Sequence, residues 1–266
     1  MLHSSGFLWE PGVAMQLNLT NTSALVTGAS RGIGAAVARA MAEAGARVAV
    51  HYHAKRDQAE ALASQIGHGA QVFQADLAVA DECARLWEDV LNRFGRIHTL
   101  INNAGIARWA PLEADSAEWL AGWDATMAVN LRAPGILSRL ALAHFIGSGG
   151  GRIINISSRA AFRGDQPQYL AYAASKAGLV ALTRSVARGF GKAGVLAFNV
   201  APGFTATDMA RDFIDQYGHE HATGDIALTR LTTPEDIAPL IVFLASGLAD
   251  HATGCTIDVN AGSYVH

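Results

Sequence analysis

The chain has 266 residues, half of them hydrophobic and 16% charged, and 20 basic against 23 acidic side chains leave a net charge of −3. That length suits one α/β domain with a large buried core and excludes a disordered chain. No run of Lys or Arg occurs, which argues against a nucleic-acid or polybasic membrane surface, and no apolar stretch reaches the roughly 18 residues of a membrane span.

In chain order, residues 1–19 read as an N-terminal extension. Residues 1–14 lack the basic and apolar regions of a secretory signal, Met15 opens a second plausible start, and Phe7 and Trp9 are candidate anchors. β-branched runs at 24–27, 47–51, 71–74, 99–102, 152–156, 195–200 and 256–259 predict strands. Helical stretches near 33–44, 56–66, 80–94, 117–146, 170–190 and 234–246 lie between or beside them. Strands alternating with helices imply βαβ units and a parallel sheet, and nearly unbroken apolar strands imply helices on both faces. The expected fold class is therefore α/β, a doubly wound parallel sheet of about seven strands forming one domain over 20–266. A variable lid segment is expected at about 207–230. Cys83 and Cys255 have no CxxC spacing and read as thiols of a reducing compartment, so the expected location is cytoplasmic.

The first strand runs into Thr27-Gly28-Ala29-Ser30-Arg31-Gly32-Ile33-Gly34 and an Ala-rich helix. Glycines at a strand-to-helix turn let the backbone approach a pyrophosphate, which meets free N–H groups and the positive end of the helix dipole. The spacing alone also fits a plain tight turn; the strand–loop–helix context favours the phosphate site. NAD sites of this kind place Asp or Glu about 20 residues on, at the ribose 2′-hydroxyl. Here the second strand ends in His51-Tyr52-His53, then come Lys55 and Arg56, and the first acid is Asp57. The missing carboxylate, with Arg31 inside the loop, favours a 2′-phosphate and so NADP(H) over NAD(H). Lys55 and Arg56 fit solvated helix-start charges equally well.

With this loop the sequence resembles the short-chain dehydrogenase/reductase family, over about 20 to 262. Asp76 follows the third strand, Asn102-Asn103-Ala104-Gly105 ends the fourth, Asn130 lies in MAVNLRAP, and Ser158 ends NISS. Tyr172 and Lys176 belong to Tyr-Ala-Ala-Ser-Lys, and Pro202-Gly203-Phe204-Thr205 follows the sixth strand. The resemblance implies a Rossmann-like fold, nearest loosely to the 3-oxoacyl-carrier-protein reductases. It implies cofactor contacts from Gly28, Ser30, Arg31, Gly32, Ile33 and Gly34, and from His51, His53, Asp76 and Leu77 on the adenine side. Asn103, Ala104, Gly105, Tyr172, Lys176, Pro202, Gly203 and Thr205 complete the set. The implied catalytic group is Asn130, Ser158, Tyr172 and Lys176. The sequence departs from the family in three places. Thirteen residues rather than 12 separate Ser158 from Tyr172, which leaves Ser157 as a rival to the preferred Ser158. His98 stands where many members have Asp, a change expected to alter support of the adenine pocket. Ala261 replaces a common glycine.

Tyr172 and Lys176 are four apart, so a helix sets them on one face. A free tyrosine, with a pKa of about 10, is a poor acid or base near neutral pH, and a neighbouring ammonium lowers that value. Such a pair exchanges a proton with an alcohol or ketone oxygen, while Ser158 donates a hydrogen bond as charge develops there. The resemblance adds that Lys176 holds the nicotinamide ribose and that Asn130 holds a relay water. Taken singly, each feature has a plainer reading: a surface Tyr/Lys contact, a turn serine, a local hydrogen-bonding Asn. His219-Glu220-His221 falls in the lid and reads as solvent-facing, so no metal is expected. Phe162, Arg163, Gln168, Tyr169 and Phe204 are cleft candidates that define no substrate.

The expected activity is NADP(H)-dependent interconversion of a carbonyl and a secondary alcohol, the substrate a 3-oxoacyl group or a small ketone. The alternatives are an NAD(P)-dependent dehydrogenase of a sugar or other secondary alcohol and, more remotely, a non-catalytic dinucleotide sensor. The expected partners are a small-molecule substrate and copies of the same chain in a homotetramer, pairing faces such as Leu131, Ile136 and Leu140, and Leu179, Leu182 and Val186. Neither nucleic acid nor membrane is expected.

Overall fold

Alternation of side chains along the strands sets the layers. The structure, a computed structural model, describes residues 17–207 and 223–265. Its strands are β1 (Ser23–Val26), β2 (Arg47–Tyr52), β3 (Gln71–Gln74), β4 (Thr99–Asn102), β5 (Gly151–Ile156), β6 (Val195–Pro202) and β7 (Thr256–Val259). All pair in parallel in the order β3-β2-β1-β4-β5-β6-β7. The helices are α1 (Gly32–Glu43), α2 (Arg56–Ile66), α3 (Ala80–Phe94), α4 (Ser116–Met127), α5 (Ala133–Gly147), α6 (Ala160–Arg163), α7 (Leu170–Phe190) and α8 (Pro234–Ala245).

Ala24 and Val26 join a core with Val48, Val50, Ile154 and Val200 under α1, α2 and α8. Leu25, between them, joins Ala49, Leu100, Ile153 and Ala197 under α3, α5 and α7. The period-2 split of apolar strands between two helical layers is what a doubly wound sheet requires. The strand order reverses direction between β1 and β4, which opens a crevice at their C-terminal ends.

The sequence-predicted helix 117–146 is three pieces: α4, a π-helical turn at Ala128–Arg132, and α5. Leu179 and Val186, expected to face another subunit, are buried in the chain's own core, with Ile136, Leu140 and Leu182 packed against it. Leu131 lies on α7, where a Cβ at Gly178 would come 2.7 Å from its Cδ2. Those faces therefore serve intramolecular packing first. Cys83 is buried, Cys255 half-buried, and both are free.

Thr205 bridges Thr232, and the Ala206 amide donates to the Thr232 carbonyl at 2.8 Å, so the two ends of the expected lid segment meet. Residues 208–222, including His219 and His221, lie outside the described residues, as do Phe7 and Trp9. Among the described residues no helix is long and apolar enough to cross a membrane.

Candidate active site

The glycine loop is shaped by close packing. Gly28 has φ +64°, and a Cβ there would lie 2.9 Å from the Ala104 Cα. A Cβ at Gly34 would overlap the Gly28 carbonyl oxygen and come 2.5 Å from Asn103 Nδ2. Asn103 donates through Nδ2 to the carbonyls of Thr27 (2.8 Å) and Gly28 (3.2 Å), while Thr27 Oγ1 accepts from the Asn103 and Ala104 amides at 2.9 and 3.0 Å. Asp115 caps α4, and a Thr233–Asp236 capping box closes α8. By contrast α1 has neither a side-chain cap nor an acid in its first turn. Its first N–H groups are left for an incoming anion. Ser30, Arg31 and Gly32 border a cavity of about 630 Å³ that reaches Arg39, Gln58 and Glu235. It flanks the outer edge of the loop and is not the place of the chemistry.

On the adenine side the expected contacts divide. His51 is buried, its Nδ1 accepting from the Gly28 amide at 2.9 Å and its Nε2 lying 3.1 Å from the Ala75 carbonyl. Burial holds its pKa down at about 4, so the ring is neutral. The expected direct cofactor contact by this side chain gives way to a bracing place beneath the loop, because both ring nitrogens are already taken. Leu77 is buried in one core and Ile33, half-buried, packs against the other. Asp76 accepts from the Ala78 amide at 2.9 Å and lies 3.8 Å from Nε2 of the exposed His53. Arg56 pairs with Glu60 at 2.8 Å on the surface, which favours its reading as a solvated charge; Arg31 and Lys55 are exposed. His98 does not support the adenine pocket: its Nδ1 accepts from the Ser23 amide at 3.1 Å, at the opposite end of β1 from the loop.

Beyond β5 the two serines part. Ser157 is buried, donating to the Val200 carbonyl (3.2 Å) and accepting from Asn199 Nδ2 (2.8 Å). Ser158 lies beside the Tyr172 phenol, and its Oγ accepts from the Ala160 amide at 3.1 Å. The geometry thus favours Ser158; between it and Tyr172 the stretch 163–167 is exposed and Gly164 has φ +81°. Lys176, on the same face of α7 as Tyr172, sits with Nζ 5.7 Å from the phenol ring centroid and donates to the Ile156 carbonyl at 2.8 Å. Burial pushes its pKa down to about 8. Burial also raises the Tyr172 pKa, the neighbouring Ser158 hydroxyl only partly offsetting it, so desolvation opposes the lysine-lowered phenol that the sequence suggests.

Asn130 is fully buried in the π-helical turn. Its Oδ1 accepts from the Ile106 amide at 2.8 Å, and its Nδ2 donates to the Ile106 carbonyl (2.8 Å) and Ser175 Oγ (3.1 Å). A Cβ at Gly105 would lie 3.2 Å from Lys176 Nζ and 3.4 Å from Asn130 Oδ1, so Gly105 keeps a small gap within reach of both. Gly203 follows β6 so close to Asn260 that a Cβ would come 2.7 Å from its Cα, and the Arg159 amide donates to the Pro202 carbonyl at 3.0 Å. Thr205 is buried and donates to the Gly203 carbonyl at 3.1 Å.

Sequence reasoning passed over three features. Thr27 is the loop's second brace. Asn102, Asn155 and Asn199 are register partners across β4, β5 and β6, a polar row under the site in which Asn102 Nδ2 donates to Asn155 Oδ1 at 2.8 Å. Their signal was legible as lone Asn residues near the ends of apolar strands. Arg159 and Arg163 share Asp225 across the segment's return, at 3.2 and 2.5 Å, a pairing with no local sequence signal.

A family model described as Enoyl-(Acyl carrier protein) reductase matches residues 28–264. The chain belongs to the short-chain dehydrogenase/reductase family. The 3-oxoacyl-[acyl-carrier-protein] reductase FabG of Staphylococcus aureus (strain Mu50) is 38% identical over 91% of this chain and 98% of its own length. A Synechocystis 3-oxoacyl-[acyl-carrier-protein] reductase is 39% identical, over 92% and 97%. A dehydrogenase/reductase from Sinorhizobium meliloti superposes with a TM-score of 0.87 at 36% identity, covering 94% of this chain and 98% of its own. A Beutenbergia cavernae protein with NADP bound at low occupancy, described as a candidate NAD(P)-dependent gluconate 5-dehydrogenase, gives 0.86 at 35%, over 94% and 99%. By family this short-chain dehydrogenase/reductase is an oxidoreductase.

Proposed function

We propose that this protein interconverts a carbonyl compound and a secondary alcohol with NADP(H), Tyr172 acting as acid and base. The observation that carries the reading is a buried Lys176 on the same helix face as Tyr172, its Nζ 5.7 Å from the phenol ring centroid, with Ser158 beside that phenol. Gly28 and Gly34 leave no room for side chains where the backbone must meet a pyrophosphate, and the uncapped start of α1 faces the same place. These residues fit a dinucleotide. Arg31 supports the 2′-phosphate, since no acid follows β2 before Asp57. The cofactor supplies or takes the hydride. Ser158, whose oxygen accepts from Ala160, would turn its hydroxyl proton to the substrate oxygen. Tyr172 gives its proton to that oxygen during reduction and takes it back during oxidation. Lys176 would hold the nicotinamide ribose and would pass protons by way of a water beside Gly105, within reach of Asn130 Oδ1.

The substrate is a small carbonyl or 3-oxoacyl-type compound. A second reading, oxidation of a sugar-like secondary alcohol, is favoured by the equal likeness to the Beutenbergia protein. A non-catalytic sensor is disfavoured because Tyr172 and Lys176 are both in place. We also propose one domain over 20–266, a cytoplasmic location and a homotetramer, with a dimer as fallback. A turnover screen of ketones, 3-oxoacyl thioesters and secondary alcohols with NADP(H) and NAD(H) tests this reading. Faster turnover with NADP(H) supports it; no turnover with any carbonyl or alcohol contradicts it.

A further inference from the structure

His51 is the one imidazole in the described core that ties two walls of the cofactor crevice together. Its Nδ1 accepts from Gly28, the first glycine of the loop, and its Nε2 meets the carbonyl of Ala75, the residue before Asp76. An N–H donor on one side and a carbonyl acceptor on the other allow one tautomer, with the proton on Nε2. The His51 main chain adds a third tie, its carbonyl accepting from the Ala29 amide at 2.8 Å. Gly28 is thus gripped from both ends, by His51 at its N–H and by Asn103 at its carbonyl. Its amide is accordingly withheld from any ligand, and the phosphate-facing donors are those further along the loop.

We propose that neutral His51 is a positioning residue that sets the spacing between the glycine loop and the Asp76 shelf, and with it the affinity for the adenosine half of the cofactor. The inference rests on the dinucleotide-binding reading. The charged groups around it are His53 just past its own strand, Asp76 after β3 and Glu82 on α3, which accepts from the Asp76 amide at 2.6 Å. None of them bonds the ring, so the two main-chain partners alone fix its form. The chemistry at Tyr172 lies on α7 and β5, elements that His51 does not touch. Its loss therefore weakens binding and leaves the proton transfer intact.

The test compares wild type, His51→Leu and His51→Asn. In Asn, Oδ1 lies close to where Nδ1 was and still accepts from Gly28, while Leu removes both bonds. Titrations use NADP⁺ and adenosine 2′,5′-bisphosphate, followed by calorimetry. Nitrogen NMR of the labelled imidazole reads the tautomer. The expected result is about tenfold or greater loss of affinity for both probes in Leu, a loss within about threefold in Asn, and kcat at saturating cofactor within about twofold of wild type in both. The His51 signal should show a bare Nδ1 and a protonated Nε2. Unchanged affinity in Leu, equal losses in Leu and Asn, or a protonated Nδ1 would overturn the proposal. Should Leu not fold, the Asn affinity and the wild-type tautomer still decide it. Failure of wild type to bind NADP⁺ would instead overturn the dinucleotide reading itself.

Discussion

Burial leaves Tyr172 holding its proton at neutral pH, and that sign governs both directions of reaction. Reduction needs the phenol as donor, so its kcat/KM should be flat through neutral pH. Oxidation needs the deprotonated form, so its kcat/KM should rise with pH and still be rising at pH 8. Rate profiles in the two directions check this; oxidation already levelling below pH 7 would show that bound cofactor lowers the phenol pKa far more than burial raises it. Arg31 is exposed at the start of α1, where a charge-assisted bond to a 2′-phosphate contributes about 1.5–3 kcal/mol. Arg31→Ala should accordingly weaken NADPH binding by about tenfold or more and leave NADH nearly unchanged, as fluorescence titration would show. Tyr172 and Lys176 were legible in the sequence because their spacing repeats a family motif, and Ser158 because it ends NISS after the fifth strand. The role of His51 was not, since which way a strand-end side chain points depends on partners 23 and 24 residues away.

Secondary-structure elements were legible wherever a local pattern forms them. The seven strands and the α2 and α3 helices fall at or within two residues of the sequence expectation. The long fifth helical stretch was not read correctly because its break is held from outside. The two Asn130–Ile106 bonds span 24 residues and fix a π-helical turn that no helical periodicity announces. At the C-terminal end of the sheet Ala261 sits at φ +54°, a conformation that costs a residue with a Cβ about 1–2 kcal/mol. Glycine gives back about 0.5–1 kcal/mol through the unfolded chain. Ala261→Gly should thus be net stabilising by about 0.5–1 kcal/mol, a rise of roughly 1–4 °C in Tm. Calorimetry that finds the variant less stable would show that the strain is compensated by the Ala227–Ala261 hydrogen bond and its surroundings.

At the scale of the whole molecule, charge placement bears on substrate. Acidic carrier proteins are steered by exposed basic clusters, and rim charges act mainly on encounter rate. The turn before β5 carries no cation, and Arg152, the second residue of the strand, is spent on Asp250 at 2.8 Å. On and just past α7, Arg184, Arg188 and Lys192 are exposed at four-residue spacing, a single row of three cations with none in the turn 147–150. A short free 3-oxoacyl thioester should therefore be turned over at least as well as its carrier-bound form, with little dependence on salt. A large, salt-sensitive preference for the carrier-bound form, lost in Arg188→Ala, would assign those arginines to docking. The sparse cations of 147–152 already spoke against carrier docking in the sequence, and the pairing of Arg152 with Asp250 in three dimensions adds to it. The central claim remains the proton transfer at Tyr172, and its most direct test is Tyr172→Phe assayed on the best substrate of the screen. The account predicts unchanged fold and NADPH affinity with kcat lowered by about 10² or more; near wild-type kcat in that variant would contradict it.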